Sequence, residues 1–191
     1  GFIQNNASLF KAESSSCHCR RWTHGACGRR DLDLYVACGS NELPSSSSAL
    51  ADRLYLNNGF GEFSKSAQIL PAGRFESSSC VQASDYDGDG DVDLFVGIRL
   101  RPNLYGIPVN GYLLENDGNG NFSNVSDQIA PGLSELGMIT DMVWTDVDMD
   151  EDPDMIIVGD WMPVKLFINE GGRFSDRSDS YGLTGTEGWW N

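Results

Sequence analysis

Short runs of alternating apolar and polar residues dominate the sequence. The chain contains segments such as DLDLYV at 31–36 and DVDLFV at 91–96, in which every second side chain is aliphatic. Alternation with a period of two is typical of half-buried β-strands. Sustained helical periodicity is absent from the sequence, so the pattern predicts an all-β protein.

These strand patterns recur at intervals of about sixty residues. The segments 31–36 and 91–96 align at a shift of 60, and Asp85 and Asp146 begin similar acidic segments 61 residues apart. A second repeated element follows, and it reads LYLNNGFGEF at 54–63, LLENDGNGNF at 113–122 and LFINEGGRF at 166–174. Its Asn, Asp and Gly residues favour hairpin turns. Each unit therefore predicts four strands, which is the blade pattern of a β-propeller.

The repeat divides the chain into five segments. We predict the end of a preceding blade at 1–13, a blade with a degenerate loop at 14–70, two blades with acidic loops at 71–134 and 135–184, and the start of a further blade at 185–191. The predicted fold is a partial β-propeller of about three four-stranded antiparallel blades. Because propellers close with roughly four to eight blades, we expect further blades in the parent protein.

Composition adds a strong but localised negative charge. The chain has 28 acidic and 13 basic side chains, which gives a net charge of −15. Eleven of the acidic side chains lie in two segments, DYDGDGDVD at 85–93 and DVDMDEDPD at 146–154. The acidity excludes a nucleic-acid partner, because no basic face is available to neutralise phosphates. Apolar runs reach only about five residues, which excludes a transmembrane segment within the chain.

The two acidic segments predict calcium sites. Carboxylates at alternate positions of a tight loop can converge on one point, and Gly88 and Gly90 permit the turns with positive φ that this requires. Ca²⁺ takes about six to eight oxygen ligands in a flexible geometry. The predicted ligands are all aspartates: Asp85, Asp87, Asp89, Asp91 (through its backbone carbonyl) and Asp93 in the first loop, and Asp146, Asp148, Asp150, Asp152 and Asp154 in the second.

The two acidic segments also fit, at first sight, an EF-hand loop or an acidic turn without metal. An EF-hand loop starts in the same way but needs a Glu at its twelfth position between two helices, and here that position is Val96 or Ile157. The EF-hand is therefore excluded. A solvated acidic turn without metal stays open, more so for the second loop, where Glu151 replaces Gly90 at a turn position that favours glycine.

The combination of these motifs resembles the VCBS/FG-GAP repeat family of integrin-α-like propellers. The acidic loop followed by DLFVG and LLENDGNGNFSNVS carries the resemblance, and GDWMPVKLFINEGGRF at 159–174 with the closing GWWN is similar to the bacterial ASPIC/UnbV-associated, cartilage-acidic-protein-like branch. The resemblance implies a secreted, cell-surface or periplasmic protein with structural calcium between the first two strands of a blade. It also implies a non-catalytic role, with a protein or glycan ligand on an exposed propeller face.

Residues 17–30, CHCRRWTHGACGRR, depart from the repeat. This segment holds both histidines, four arginines and three of the five cysteines, and it has no acidic residue. Three explanations stay open: an out-of-frame translation of a former acidic loop, a divergent basic loop, or a zinc site. The candidate zinc ligands are Cys17, Cys19, His24 and Cys27.

An enzyme is the alternative function. A carboxylate-dependent, glycan-active enzyme on a propeller scaffold would use Glu115, Asp160 or Glu187, each of which also fits a surface or turn position. The three tryptophans at 161, 189 and 190 either stack on a ligand or pack between blades. Cys38 and Cys80 fit two separate buried thiols better than a disulfide.

Overall fold

The computed structural model describes residues 4–10, 32–58, 60–70 and 76–190. These residues form three antiparallel sheets with little helix, in agreement with the predicted all-β class. Within the described ranges no helix is long and apolar enough to cross a membrane. The segment 17–30, with its three open explanations, lies outside the described residues.

The first sheet has the order β1-β2-β3-β4, and a short 3₁₀ helix at Ser48–Leu50 precedes β3. Strand β1 pairs with β2 along its whole length, from Gln4 opposite Gly39 to Phe10 opposite Asp33. Residues 4–10 thus hold the first-strand position of this sheet, whereas the sequence repeat assigned 1–13 to the end of a preceding blade. The strands are β1 Gln4–Phe10, β2 Asp33–Gly39, β3 Arg53–Asn57 and β4 Phe63–Lys65.

The second sheet repeats this order as β5-β6-β7-β8, and a one-turn helix α1, Ser126–Ile129, and a 3₁₀ turn, Pro131–Leu133, lead to the third sheet. Both sheets pair only neighbouring antiparallel strands, which short hairpins can connect. The strands are β5 Ser77–Ser84, β6 Asp93–Leu100, β7 Gly111–Asn116 and β8 Phe122–Asn124.

The third sheet contains a fifth strand. Strands β9 to β12 pair in sequence order, and β13 adds to β10 beside Asp160 and Met162. Gly188–Trp189 thus pairs with the third sheet, and the start of a further blade at 185–191 stays a prediction. The strands are β9 Met138–Thr145, β10 Asp154–Met162, β11 Lys165–Asn169, β12 Phe174–Asp176 and β13 Gly188–Trp189.

The second sheet buries both of its faces. Along β6, Leu94 and Val96 belong to a core shared with Tyr35 of the first sheet, whereas Phe95 belongs to a core shared with Ile157 of the third. Successive side chains of a strand point to opposite faces, so one strand can serve two cores. This face-to-face stacking is the arrangement of propeller blades.

Cys38 and Cys80 are both free and buried, which confirms the preference for separate thiols. Burial raises the pKa of Cys80 to about 12 and also raises the pKa of Cys38. Both groups therefore stay protonated at neutral pH and act as small apolar side chains.

Candidate metal sites in the acidic loops

Each acidic loop joins the first strand of a blade to the second. Residues 85–92 connect β5 to β6, and residues 146–153 connect β9 to β10. Because β7 and β11 run antiparallel to β6 and β10, the hairpins that follow them lie at the same end of the sheets as the acidic loops. Loop and hairpin therefore form one edge of each blade.

A buried aspartate begins the second strand of every blade. The exposed fractions of Asp33, Asp93 and Asp154 are 3%, 0% and 0%. In each case Oδ1 accepts the backbone N–H of the asparagine that ends the third strand, at 2.7 to 2.9 Å: Asn57 with Asp33, Asn116 with Asp93 and Asn169 with Asp154. Each carboxylate thus helps to bond its second strand to its third.

The same asparagines complete a two-way clamp. Each side-chain Nδ2 donates to the carbonyl of the residue before the buried aspartate, at 3.1 to 3.2 Å, namely Leu32, Val92 and Pro153. The sequence predicted Asp93 and Asp154 as metal ligands but did not predict this clamp. The signal was present in the asparagine that recurs at the ends of LYLN, LLEN and LFIN.

The first acidic loop brings three carboxylates together. One oxygen from each of Asp85, Asp87 and Asp89 lies within 4.8 Å of the others. Backbone N–H groups hold the loop closed, since Gly90 donates to Asp85 Oδ2 at 3.1 Å and Asp91 donates to Asp89 Oδ1 at 2.8 Å. The alternate spacing of the aspartates therefore produces a cluster, as the sequence predicted from spacing alone.

The other two predicted ligands of this loop, Asp91 and Asp93, lie outside the three-carboxylate cluster. The side chain of Asp91 lies against the hairpin after β7, where a Cβ added at Gly118 would stand 2.5 Å from its Oδ2. Asp93 Oδ2 is buried and accepts no hydrogen bond of standard geometry from the described residues, although the backbone N–H of Tyr86 acts on this carboxylate and lowers its pKa. A buried oxygen without such a hydrogen bond is costly unless a cation or a proton compensates it.

The second acidic loop gathers a different trio. Oxygens of Asp146, Asp148 and Asp154 lie within 4.8 Å of one another. Asp154 Oδ2 already accepts the N–H of Val147 at 2.8 Å. The remaining predicted ligands turn elsewhere, with Asp152 Oδ2 accepting the N–H of Gly171 at 3.0 Å and Asp150 Oδ1 accepting that of Asp152 at 3.0 Å.

The two loops share one backbone conformation despite their different sequences. Gly88 and Gly90 have φ of 74° and 96°, and Met149 and Glu151 occupy the matching positions with φ of 67° and 76°. Left-handed backbone is unfavourable for side chains with a Cβ. The expected strain at Glu151 is confirmed, and Met149 adds a second strained position that the sequence analysis missed.

The carboxylates of the first loop perturb one another. Burial, together with the charges of Asp87 and Asp89, raises the pKa of Asp93 to about 7. Burial and the same two charges also raise the pKa of Asp85 above its ordinary value. Bound positive charge in this loop would relieve both effects.

The first loop is also fixed by the third blade. The ring of Tyr86, which is 2% exposed, packs against Phe174 and Trp144 at centroid distances of 5.5 and 6.4 Å. Asn169 Nδ2 donates to the carbonyl of Tyr86 at 2.7 Å. The shape of this loop therefore depends on contacts between blades.

The donor chemistry of both loops fits a metal ion of one type. All clustered donors are carboxylate oxygens, which suit hard divalent cations, and the first loop adds the buried second oxygen of Asp93, which accepts no standard hydrogen bond from the described residues. Among the described residues none of the clustered carboxylates forms an ion pair with a basic side chain. The clusters can therefore hold a metal ion.

The three carboxylates that the sequence offers for catalysis have different environments. Asp160 on β10 is buried and paired with Arg99 at 2.8 Å. Glu115 is half-buried on β7, opposite Ser123, and Glu187 is exposed before β13. Of the three, only Asp160 is buried, and its carboxylate is already engaged by Arg99.

Comparison with known proteins agrees with the architecture. The family model of the FG-GAP-like repeat matches residues 28–96, a range that includes β2 to β4 and the whole first acidic loop. The three antiparallel sheets are consistent with the blades of such repeats. No match to the chain was found among curated proteins.

Proposed function

We propose that this chain is a non-catalytic, calcium-binding part of a β-propeller, in which Ca²⁺ stabilises the blade loops and an exposed face binds a ligand. The carrying observation is that two equivalent loops each hold three carboxylates within 4.8 Å. Like charges this close repel one another, and bound Ca²⁺ would convert that repulsion into attraction.

The proposed ligands follow the sequence prediction. In the first loop the clustered trio would bind Ca²⁺ through side chains, joined by the buried Oδ2 of Asp93 and the backbone carbonyl of Asp91. In the second loop the trio of Asp146, Asp148 and Asp154 would do so, with Asp150 and Asp152 as further candidates. Water would complete each shell, as is usual for Ca²⁺ sites of this kind.

We further propose that the parent protein is secreted, periplasmic or exposed at a cell surface. FG-GAP-like repeats are typical of extracellular proteins, and the exposed positions of Asp87, Asp89 and Asp148 suit weak sites. Extracellular modules bind Ca²⁺ with dissociation constants of about 0.1–1 mM. Membership of the ASPIC/UnbV-associated branch is part of this proposal and rests on the motif at 159–174.

A calcium titration followed by thermal melting tests the proposal. Ca²⁺ binds only the folded loop, so a concentration ten times the dissociation constant should stabilise the protein by about 1.4 kcal/mol per site and raise Tm by about 3–6 °C. The double variant Asp87→Ala/Asp89→Ala should lose the part due to the first loop. Glu42→Ala/Asp127→Ala removes the same charge from exposed positions outside the loops and should keep the full response.

Three results would contradict the proposal. If Ca²⁺ leaves the Tm of the wild-type chain unchanged, the chain does not bind calcium in these loops. If Mg²⁺ raises Tm equally, the sites are not specific for Ca²⁺. Turnover of a glycan substrate that is abolished by Asp160→Asn or Glu115→Gln would show that the protein is an enzyme.

A further inference from the structure

An aromatic cluster lies at the end of the sheets opposite the acidic loops. Tyr105 follows β6, Trp161 lies near the end of β10 and Trp189 lies in β13, and they are 44%, 53% and 68% exposed. The ring centroids of Tyr105 and Trp161 are 5.3 Å apart, and those of Trp161 and Trp189 are 5.9 Å apart. Three separate segments thus present their rings at one place.

The backbone at Trp161 is strained in a way that supports this cluster. Its φ is 56°, a left-handed value inside a strand, which costs about 1–2 kcal/mol for a residue with a Cβ. The indole lies beside Gly106, where an added Cβ would stand 3.4 Å from its Cζ3. The fold therefore keeps an unfavourable conformation that leaves a large apolar ring exposed, and such strain is concentrated at functional sites.

A buried polar group positions the cluster from below. Asp160, which is 3% exposed, accepts hydrogen bonds from Arg99 Nε at 3.0 Å and from the Tyr105 hydroxyl at 3.1 Å. Nearby, Arg101 Nε pairs with Glu76 at 2.9 Å. Both arginines near the rings are therefore already paired with carboxylates, so among the described residues this surface offers no unpaired arginine to an anionic ligand.

We propose that Tyr105, Trp161 and Trp189 form a binding site for a neutral pyranose of a carbohydrate. The inference rests on the proposed ligand-binding role of a propeller face, but it is independent of calcium. The apolar C–H face of a pyranose can stack on an exposed indole, and each tryptophan also carries an N–H donor for a sugar hydroxyl.

The shape and charge of the surface select among ligands. The rings meet at interplanar angles of 78° and 61°, so they do not form a flat platform for a long chain. The exposed carboxylate of Glu187, two residues before Trp189, opposes an anionic glycan at this surface. A neutral saccharide is the ligand that satisfies both conditions.

The test measures binding of the whole chain to neutral and anionic oligosaccharides by calorimetry and by quenching of tryptophan fluorescence. The neutral probes are tetramers of β-linked glucose, mannose and N-acetylglucosamine, and the anionic probes are sulfated and sialylated. The variant Trp161→Gly removes the ring and relieves the left-handed strain, so it should fold at least as well as the wild type. We expect it to bind a neutral probe at least about tenfold more weakly.

A matched control shows whether binding requires this aromatic cluster or only an exposed aromatic ring. Phe60, in the hairpin after β3, is 72% exposed, and Phe60→Ala should bind as the wild type does. Equal binding by Trp161→Gly and the wild type would overturn the site. Binding of anionic probes alone, or of none while the protein responds to Ca²⁺, would overturn the ligand class and leave the calcium proposal intact. Binding of a neutral probe without any Ca²⁺ response would reject only the calcium proposal.

Discussion

The two acidic loops reach one conformation with different residues. In the first loop Gly90 N–H donates to Asp85 Oδ2 at 3.1 Å, and in the second Glu151 N–H donates to Asp146 Oδ2 at the same distance. The leading aspartate therefore determines the shape of both loops. Glycine at the positive-φ positions lowers the cost of that shape without being required for it.

The loops differ in how they satisfy the aspartate that begins the next strand. Asp154 Oδ2 accepts the N–H of Val147 at 2.8 Å, whereas the matching N–H of Tyr86 makes no hydrogen bond of standard geometry to the buried Oδ2 of Asp93. The second loop is thus held by its own hydrogen bonds at some backbone strain. The first loop has relaxed glycines but holds a buried carboxylate oxygen more weakly, so it should depend more on a bound cation.

The largest expected contrast is between Asp154→Asn and Asp93→Asn in calcium-free buffer near pH 7.5. In Asp154→Asn the side-chain NH₂ group replaces one of two oxygens that accept backbone N–H groups, from Val147 and Asn169. Two donors would then face each other, which should destabilise the protein by about 2–3 kcal/mol. An amide at 93 can still accept from Asn116 and removes a buried charge, so stability should change by less than about 1 kcal/mol. Urea unfolding with a chelator measures both, and equal losses would mean that the two aspartates have equivalent roles.

A second contrast concerns pH. The pKa of Asp93 is raised to about 7, against about 3.9 in an unfolded chain. Between pH 4 and 7 the unfolded state therefore binds fewer protons than the folded state, so the stability of the calcium-free protein should fall as pH rises and level off above pH 7.

After allowance for solvent screening, the part due to Asp93 should be about 1–2 kcal/mol. Chemical denaturation at several pH values would detect it, with Asp93→Asn as the comparison. If Asp93→Asn loses as much stability between pH 4 and 7 as the wild type, groups other than Asp93 cause the pH dependence. Saturating Ca²⁺ should also flatten the wild-type profile if the ion binds this loop.

The smallest contrast concerns the strained backbone. Met149→Gly and Glu151→Gly should each stabilise the second loop by about 1 kcal/mol, because glycine adopts positive φ without a steric penalty. Gly88→Ala and Gly90→Ala should each cost about as much in the first loop, where nothing within 4 Å would contact the added methyl group. A higher Tm for the two glycine variants and a lower Tm for the two alanine variants would support the comparison. A lower Tm for all four would show that the side chains at 149 and 151 contribute contacts of their own.

Much of the architecture could be predicted from local pattern. Alternation gave the strands, the sixty-residue repeat gave the four-stranded blades, and the spacing of Asp85, Asp87 and Asp89 gave a cluster. Each of these depends on the periodicity of a strand or the reach of a tight loop, which neighbouring residues determine. The sheets that the first and last described strands join could not be predicted in this way, because strand partners are chosen by available sheet edges and local sequence does not specify them.

The sequence by itself determined which residues repeat and where carboxylate oxygens are concentrated. Only the tertiary structure decided how those residues are used, because burial and contacts between blades set their charge and position. Asn169, 83 residues from Tyr86, bonds to the first loop across a blade boundary. Asp93 and Asp154 are equally buried, but only Asp154 accepts a standard hydrogen bond on its second oxygen, from Val147. The edge-to-face packing of three distant aromatic rings likewise creates a surface that no single motif describes.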